Sequence, residues 1–61
     1  MKTSELTKIL RKAGCYRIAQ GSRHEIWYSP ITGRKFTVDR HGPKEIANGT
    51  AYRILKDAGL Q

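Results

Sequence analysis

Acidic residues are scarce. Glu5, Glu25, Asp39, Glu45 and Asp57 are the only 5 in a chain of 61, and they are scattered. A magnesium site takes oxygen ligands from clustered carboxylates, so a metal-dependent nuclease is disfavoured. Cysteine is scarcer still, with Cys15 alone. One thiol forms no internal disulfide, and nothing around it has metal-ligand spacing. Cys15 reads as a small, partly buried residue. The chain carries no GxxxxGK phosphate loop, no HExxH and no paired-cysteine site. No apolar run approaches the roughly 20 residues that span a bilayer. The first residues lack the apolar stretch of a secretory signal. The expectation is a soluble, cytoplasmic chain with no membrane partner, no bound metal and no small-molecule cofactor.

What is abundant is positive charge. Lys and Arg number 12, the formal net charge is +7 and the sequence pI is near 10.1. A small domain with this balance attracts polyanions, and a phosphate backbone first among them. The length predicts a single domain over residues 1–61. So short a chain buries roughly 60% of the surface its unfolded form exposes. Its core is thin, and its chemistry belongs on an open face or in a shallow groove.

Apolar periodicity sets the elements. Leu6, Ile9, Leu10 and Ala13 recur at one-face helical spacing and predict a helix over residues 4–13. Thr3 or Ser4 suits its N-cap, Glu5 the positive end of its dipole, and Gly14 its left-handed stop. Ala51, Ile54, Leu55 and Ala58 predict a second helix over residues 49–58, closed by Gly59. The segments Ile9–Gly14 and Ile54–Gly59 resemble each other. They read as two helices packing on one sheet, because no strand repeats with them. Between the helices, residues 15–20, 24–29 and 34–38 read as strands. Gly21-Ser22 breaks the first from the second. Pro30-Ile31-Thr32-Gly33 has hairpin-loop chemistry. Residues 39–48, with Gly42-Pro43 inside, form a connector. The resulting fold class is α+β, in the order α-β-β-β-α. It has a three-stranded antiparallel sheet with both helices on one face.

The four-residue loop also predicts a register. Ser29 faces Arg34, Tyr28 faces Lys35, Trp27 faces Phe36, Ile26 faces Thr37, Glu25 faces Val38 and His24 faces Asp39. A bulge would shift it by one residue. Trp27 and Phe36 pair on the core side. His24, Ile26, Tyr28, Lys35, Thr37 and Asp39 share the open side.

Metal-free phosphodiester chemistry needs a group that moves protons near neutral pH, and histidine is the first candidate. His24 stands beside Arg23 at a strand start. On RNA, a neutral imidazole there could take the proton of a 2′-hydroxyl, whose oxygen would then attack its own phosphodiester. The plainer reading is a surface histidine. His41 is either a partner acid or a structural residue of the connector. Asp39 either orients the His24 ring or is a solvated strand-end carboxylate. Arg17, Arg23, Arg34, Lys35 and Arg40 gather around the strands, with Tyr28 among them. Cations beside a ring on a sheet face suit single-stranded nucleic acid, charge for the backbone and ring for stacking.

These residues resemble the HicA toxins, the mRNA-interferase half of HicA–HicB type II toxin–antitoxin pairs. The resemblance rests on Ser4-Glu5-Leu6 and Ala13-Gly14, on Gly21-Ser22-Arg23-His24, and on Gly33 in the hairpin loop. It continues through Val38 with Arg40-His41, Lys44-Glu45-Ile46, Gly49-Thr50 and Ile54–Leu60. It implies a double-stranded-RNA-binding-domain-like (dsRBD-like) fold and ribosome-independent cleavage of mRNA, with His24 as the essential catalytic residue. It also implies a HicB-type antitoxin that covers the active face, in a complex that represses its own operon. His41 matches a recurring histidine not assigned to catalysis. One departure stands out, because the family usually has Val-Pro-Arg-His where this chain has Val38-Asp39-Arg40-His41. The expected function is therefore an endoribonuclease toxin, with Arg23 and Lys35 on the scissile phosphate. The rivals are a non-catalytic RNA-binding module of the same fold and a helper that acts only through a protein partner.

Overall fold

The computed structural model describes residues 1–21, 23–39 and 45–61. Their order is α1 (Thr3–Lys12), β1 (Tyr16–Gln20), β2 (His24–Ser29), β3 (Arg34–Asp39) and α2 (Asn48–Asp57). The strands form one antiparallel sheet in the order β1-β2-β3, with β2 central. The α-β-β-β-α order and the α+β class match the sequence reading. The Gly42-Pro43 part of the connector lies outside the described residues.

One core lies between the sheet and both helices. Trp27, Phe36 and Val38 from the strands cluster with Leu6 and Leu10 of α1 and with Ala51, Ile54 and Leu55 of α2. Both helices therefore cover the same sheet face, and no described helix covers the other. The α2 stripe is buried as its spacing predicts. The α1 stripe is narrower than predicted, because Ile9 is 40% exposed. The start of α1 also differs. Lys2 occupies the N-cap position, and its backbone N–H donates to the Glu5 carboxylate at 3.2 Å. Thr3 and Ser4 lie inside the helix.

The two helices end alike. At α1, Cys15 N–H donates to Leu10 C=O at 2.9 Å and Gly14 N–H to Arg11 C=O at 3.0 Å. At α2, Leu60 N–H donates to Leu55 C=O at 2.8 Å and Gly59 N–H to Lys56 C=O at 3.0 Å. Each pair is a Schellman cap, which needs a left-handed residue after the helix. Gly14 and Gly59 supply it, with φ of +94° and +86°. This explains the sequence likeness between the two helix ends.

Both ends converge on the β2–β3 hairpin loop. A Cβ on Gly14 would lie 3.3 Å from Pro30, and one on Gly59 only 2.8 Å from Ile31. Ser29, fully buried, ties the junction. Its hydroxyl donates to Ala58 C=O at 2.6 Å and accepts from the amides of Ile31 and Thr32. Gly33, with φ +69°, donates its N–H to Ser29 C=O at 2.8 Å and closes the loop. At the far end, Lys2 bridges Glu45, and Ile46 N–H donates to Met1 C=O at 2.8 Å. The sheet is thus anchored at its loop end, and β2 and β3 run from there towards His24 and Asp39.

Candidate functional site

The β2–β3 register is the one the loop predicts, pair for pair from Ser29↔Arg34 to His24↔Asp39. Side chains alternate between sheet faces along a strand. His24, Ile26 and Tyr28 therefore share the open face with Lys35, Thr37 and Asp39. Trp27 and Phe36 are buried on the other face, as the sequence indicates.

His24 is held by its backbone at the first position of β2. Its carbonyl accepts the Gly21 N–H at 2.8 Å, which closes the β1–β2 turn. The ring is more than half exposed, with Nε2 3.6 Å from Asp39 Oδ1. That separation is within ion-pair range for a protonated ring and longer than the 2.7–3.2 Å of an N–H···O hydrogen bond. The same Asp39 oxygen lies 3.6 Å from the Arg53 guanidinium of α2. Arg53 also bonds Asp57 at 3.0 Å, one helical turn along. One carboxylate thus stands between the candidate histidine and a helix cation. Gly21, Arg23, His24, Ile26 and Thr37 line a shallow hollow at this end of the sheet. Arg23 is exposed beside the ring.

Tyr28 and Lys35 form a second group on the same face, directly paired across the strands. Tyr16 of β1 pairs with Tyr28, with ring centroids 5.5 Å apart and planes tilted by 42°. Lys35 lies four residues along β3 from Asp39, which is about 13 Å at ~3.3 Å per residue. Among the described residues, Arg23 is the cation that lines the histidine's hollow.

The remaining predicted cations lie elsewhere. Arg17 pairs in register with Trp27, on the helix-bearing side. Its guanidinium contacts Glu25 at 3.1 Å. Glu25 in turn accepts the Trp27 indole N–H at 3.0 Å, and the Arg11 guanidinium sits 5.0 Å from the Trp27 ring. These contacts hold the Trp27 edge in place. Arg34 pairs with the buried Ser29, so it too starts on the helix-bearing side. Arg40 and His41 lie outside the described residues. No group of three or more His, Cys, Asp or Glu that could hold a metal ion occurs among the described residues.

Two site neighbours escaped the sequence reading. Arg53 gave no signal, because its link to Asp39 depends on how α2 sits against the sheet edge. Tyr16 gave one. Counting back from a three-residue turn at 21–23 pairs it with Tyr28. The structure keeps that pairing because a bulge between Arg17 and Ala19 absorbs the irregularity nearer the turn.

No described helix is long and apolar enough to cross a membrane. No curated protein and no solved structure matches the chain. Residues 3–60, nearly all of it, match the family described as HicA toxin of bacterial toxin-antitoxin.

Proposed function

The chain belongs to the HicA toxin family of bacterial toxin–antitoxin systems, and on that premise we propose that it is a metal-independent endoribonuclease cleaving mRNA in the cytoplasm. The observation that carries this reading is His24, exposed on the uncovered sheet face beside Arg23 and 3.6 Å from Asp39. His24 is the general acid or base. As base, its imidazole takes the 2′-hydroxyl proton. The 2′ oxygen attacks the adjacent phosphorus to form a 2′,3′-cyclic phosphate, and the P–O5′ bond breaks as the 5′ oxygen of the next nucleotide takes a proton from solvent water. Such help typically speeds a reaction about 10²–10⁴-fold.

Arg23 holds the reacting phosphate and stabilises the charge that develops on it. Asp39 and Arg53 orient the ring. Lys35 holds a neighbouring phosphate, and Tyr28 with Tyr16 offers a surface on which a base can stack. No bound metal or small-molecule cofactor enters this scheme.

The partner of a toxin in such a pair is its cognate antitoxin. A HicB-type protein seated on the uncovered face would meet Tyr16, Ile26 and Tyr28 and close the histidine's hollow. Expression of the chain in bacteria tests the proposal. The parent arrests growth and depletes mRNA, and the His24→Ala variant at equal abundance does neither. RNA binding without any cleavage by the parent would favour the non-catalytic module instead.

A further inference from the structure

A second depression runs along the outer edge of β3, lined by Arg34, Lys35, Phe36 and Thr37 of the strand and by Lys56 and Asp57 of α2. Its charge is lopsided. Asp57 is engaged by Arg53 at 3.0 Å. None of the five acids of the chain forms an ion pair with Arg34, Lys35 or Lys56 among the described residues. Three exposed cations therefore flank one short groove. The groove and the histidine's hollow meet at Thr37, which lines both. Lys35 is the link, since it belongs to the groove and also stands beside Tyr28 on the open face.

From this arrangement we propose that the β3 edge is an extended binding track for the backbone of a single-stranded RNA. The scissile phosphodiester lies at His24, and phosphates further along the same strand are held by Lys35, Arg34 and Lys56. The inference rests on the endoribonuclease reading and adds a direction and a length to its substrate. The RNA runs from the Asp39 end of β3 towards the last turn of α2. Arg34, displaced from the histidine by its register position, acquires a role there. Lys56, to which the sequence assigned no binding role, acquires the same one. The groove is open at its outer side, which suits a flexible single strand better than a rigid duplex. An apolar floor from Phe36 is too buried to stack a base, so recognition in the track is of phosphate.

Salt dependence reads such contacts directly. Each phosphate contact to a single strand contributes about 0.7 to the slope of log affinity against log salt. Binding of a labelled single-stranded RNA is measured in a His24→Ala background, so that the probe survives. The double variant Arg34→Gln/Lys56→Gln should lower the slope by about 1.4 and weaken binding most at low salt. A control, Lys8→Gln/Lys12→Gln on the exposed side of α1, removes the same charge away from the groove and should leave the slope nearly intact. Matching unfolding transitions establish that every variant is folded. An unchanged slope in the groove variant overturns the track while leaving the histidine reading in place. An equal loss in the control overturns it too, because the effect is then net charge alone. Loss of antitoxin binding with RNA slope unchanged assigns the groove to the protein partner and overturns the proposal. Failure of the background protein to bind RNA at all removes the endoribonuclease reading, and the track with it.

Discussion

Replacing Gly59 with alanine probes how the end of α2 is held against the hairpin loop. Gly59 has φ +86°, where an L-residue costs roughly 1–2 kcal/mol. Its new Cβ would lie 2.8 Å from Ile31 Cγ2 and 2.9 Å from Thr32 Cγ2. Both neighbours are β-branched and stiff, so overpacking adds about 1–3 kcal/mol. The total is about 2–5 kcal/mol, against the roughly 3–9 kcal/mol that ~0.05–0.15 kcal/mol per residue gives a chain this size. Gly14→Ala meets the same backbone cost, but its Cβ sits 3.3 Å from Pro30, so the loss should be smaller, about 1–2 kcal/mol. Gly49→Ala, in α2 with nothing within 4 Å, should stabilise by up to about 1 kcal/mol. Urea unfolding followed by the single buried Trp27 measures all three. A Gly59→Ala loss below that of Gly14→Ala would refute the reasoning, because α2 would then not be seated on the loop as described.

Ser29→Ala removes the bond to Ala58 C=O and leaves the Ile31 and Thr32 amides without their acceptor. A loss of about 1–3 kcal/mol is expected in the same unfolding assay. Asp39→Asn keeps the size of the side chain but removes the charge between His24 and Arg53. Exposed ion pairs are typically worth about 0.2–1 kcal/mol, so single-turnover RNA cleavage should slow no more than about fivefold. A loss on the scale of removing His24 would make Asp39 a participant in proton transfer, not an orienter. Cleavage assayed in EDTA should continue at the untreated rate, and abolition by chelation would sink the metal-free scheme.

The parts of this fold that were legible in the sequence are those fixed by short-range rules. Pro30–Gly33 set the β2–β3 register, and with it the His24–Asp39 juxtaposition. Gly14 and Gly59 marked both helix ends. What stayed hidden depended on distant packing. Ile9 fits the α1 stripe by spacing yet stays 40% exposed, while Leu6 and Leu10 are fully buried. The bulge in β1 left no trace in Tyr16–Gln20, an edge strand exposed at every position. The candidate site was legible as a histidine on an open basic face. The division of its cations was not. Arg17 and Arg34 sit one residue out of phase with that face, and composition alone groups them with Arg23 and Lys35.

The most direct measurement is cleavage of a defined, end-labelled RNA by the purified chain and by its His24→Ala variant under single-turnover conditions. Removing the general acid or base should slow cleavage about 10²–10⁴-fold while RNA affinity changes little. Cleavage by His24→Ala at the parent's rate would contradict the assignment of the reaction to this histidine.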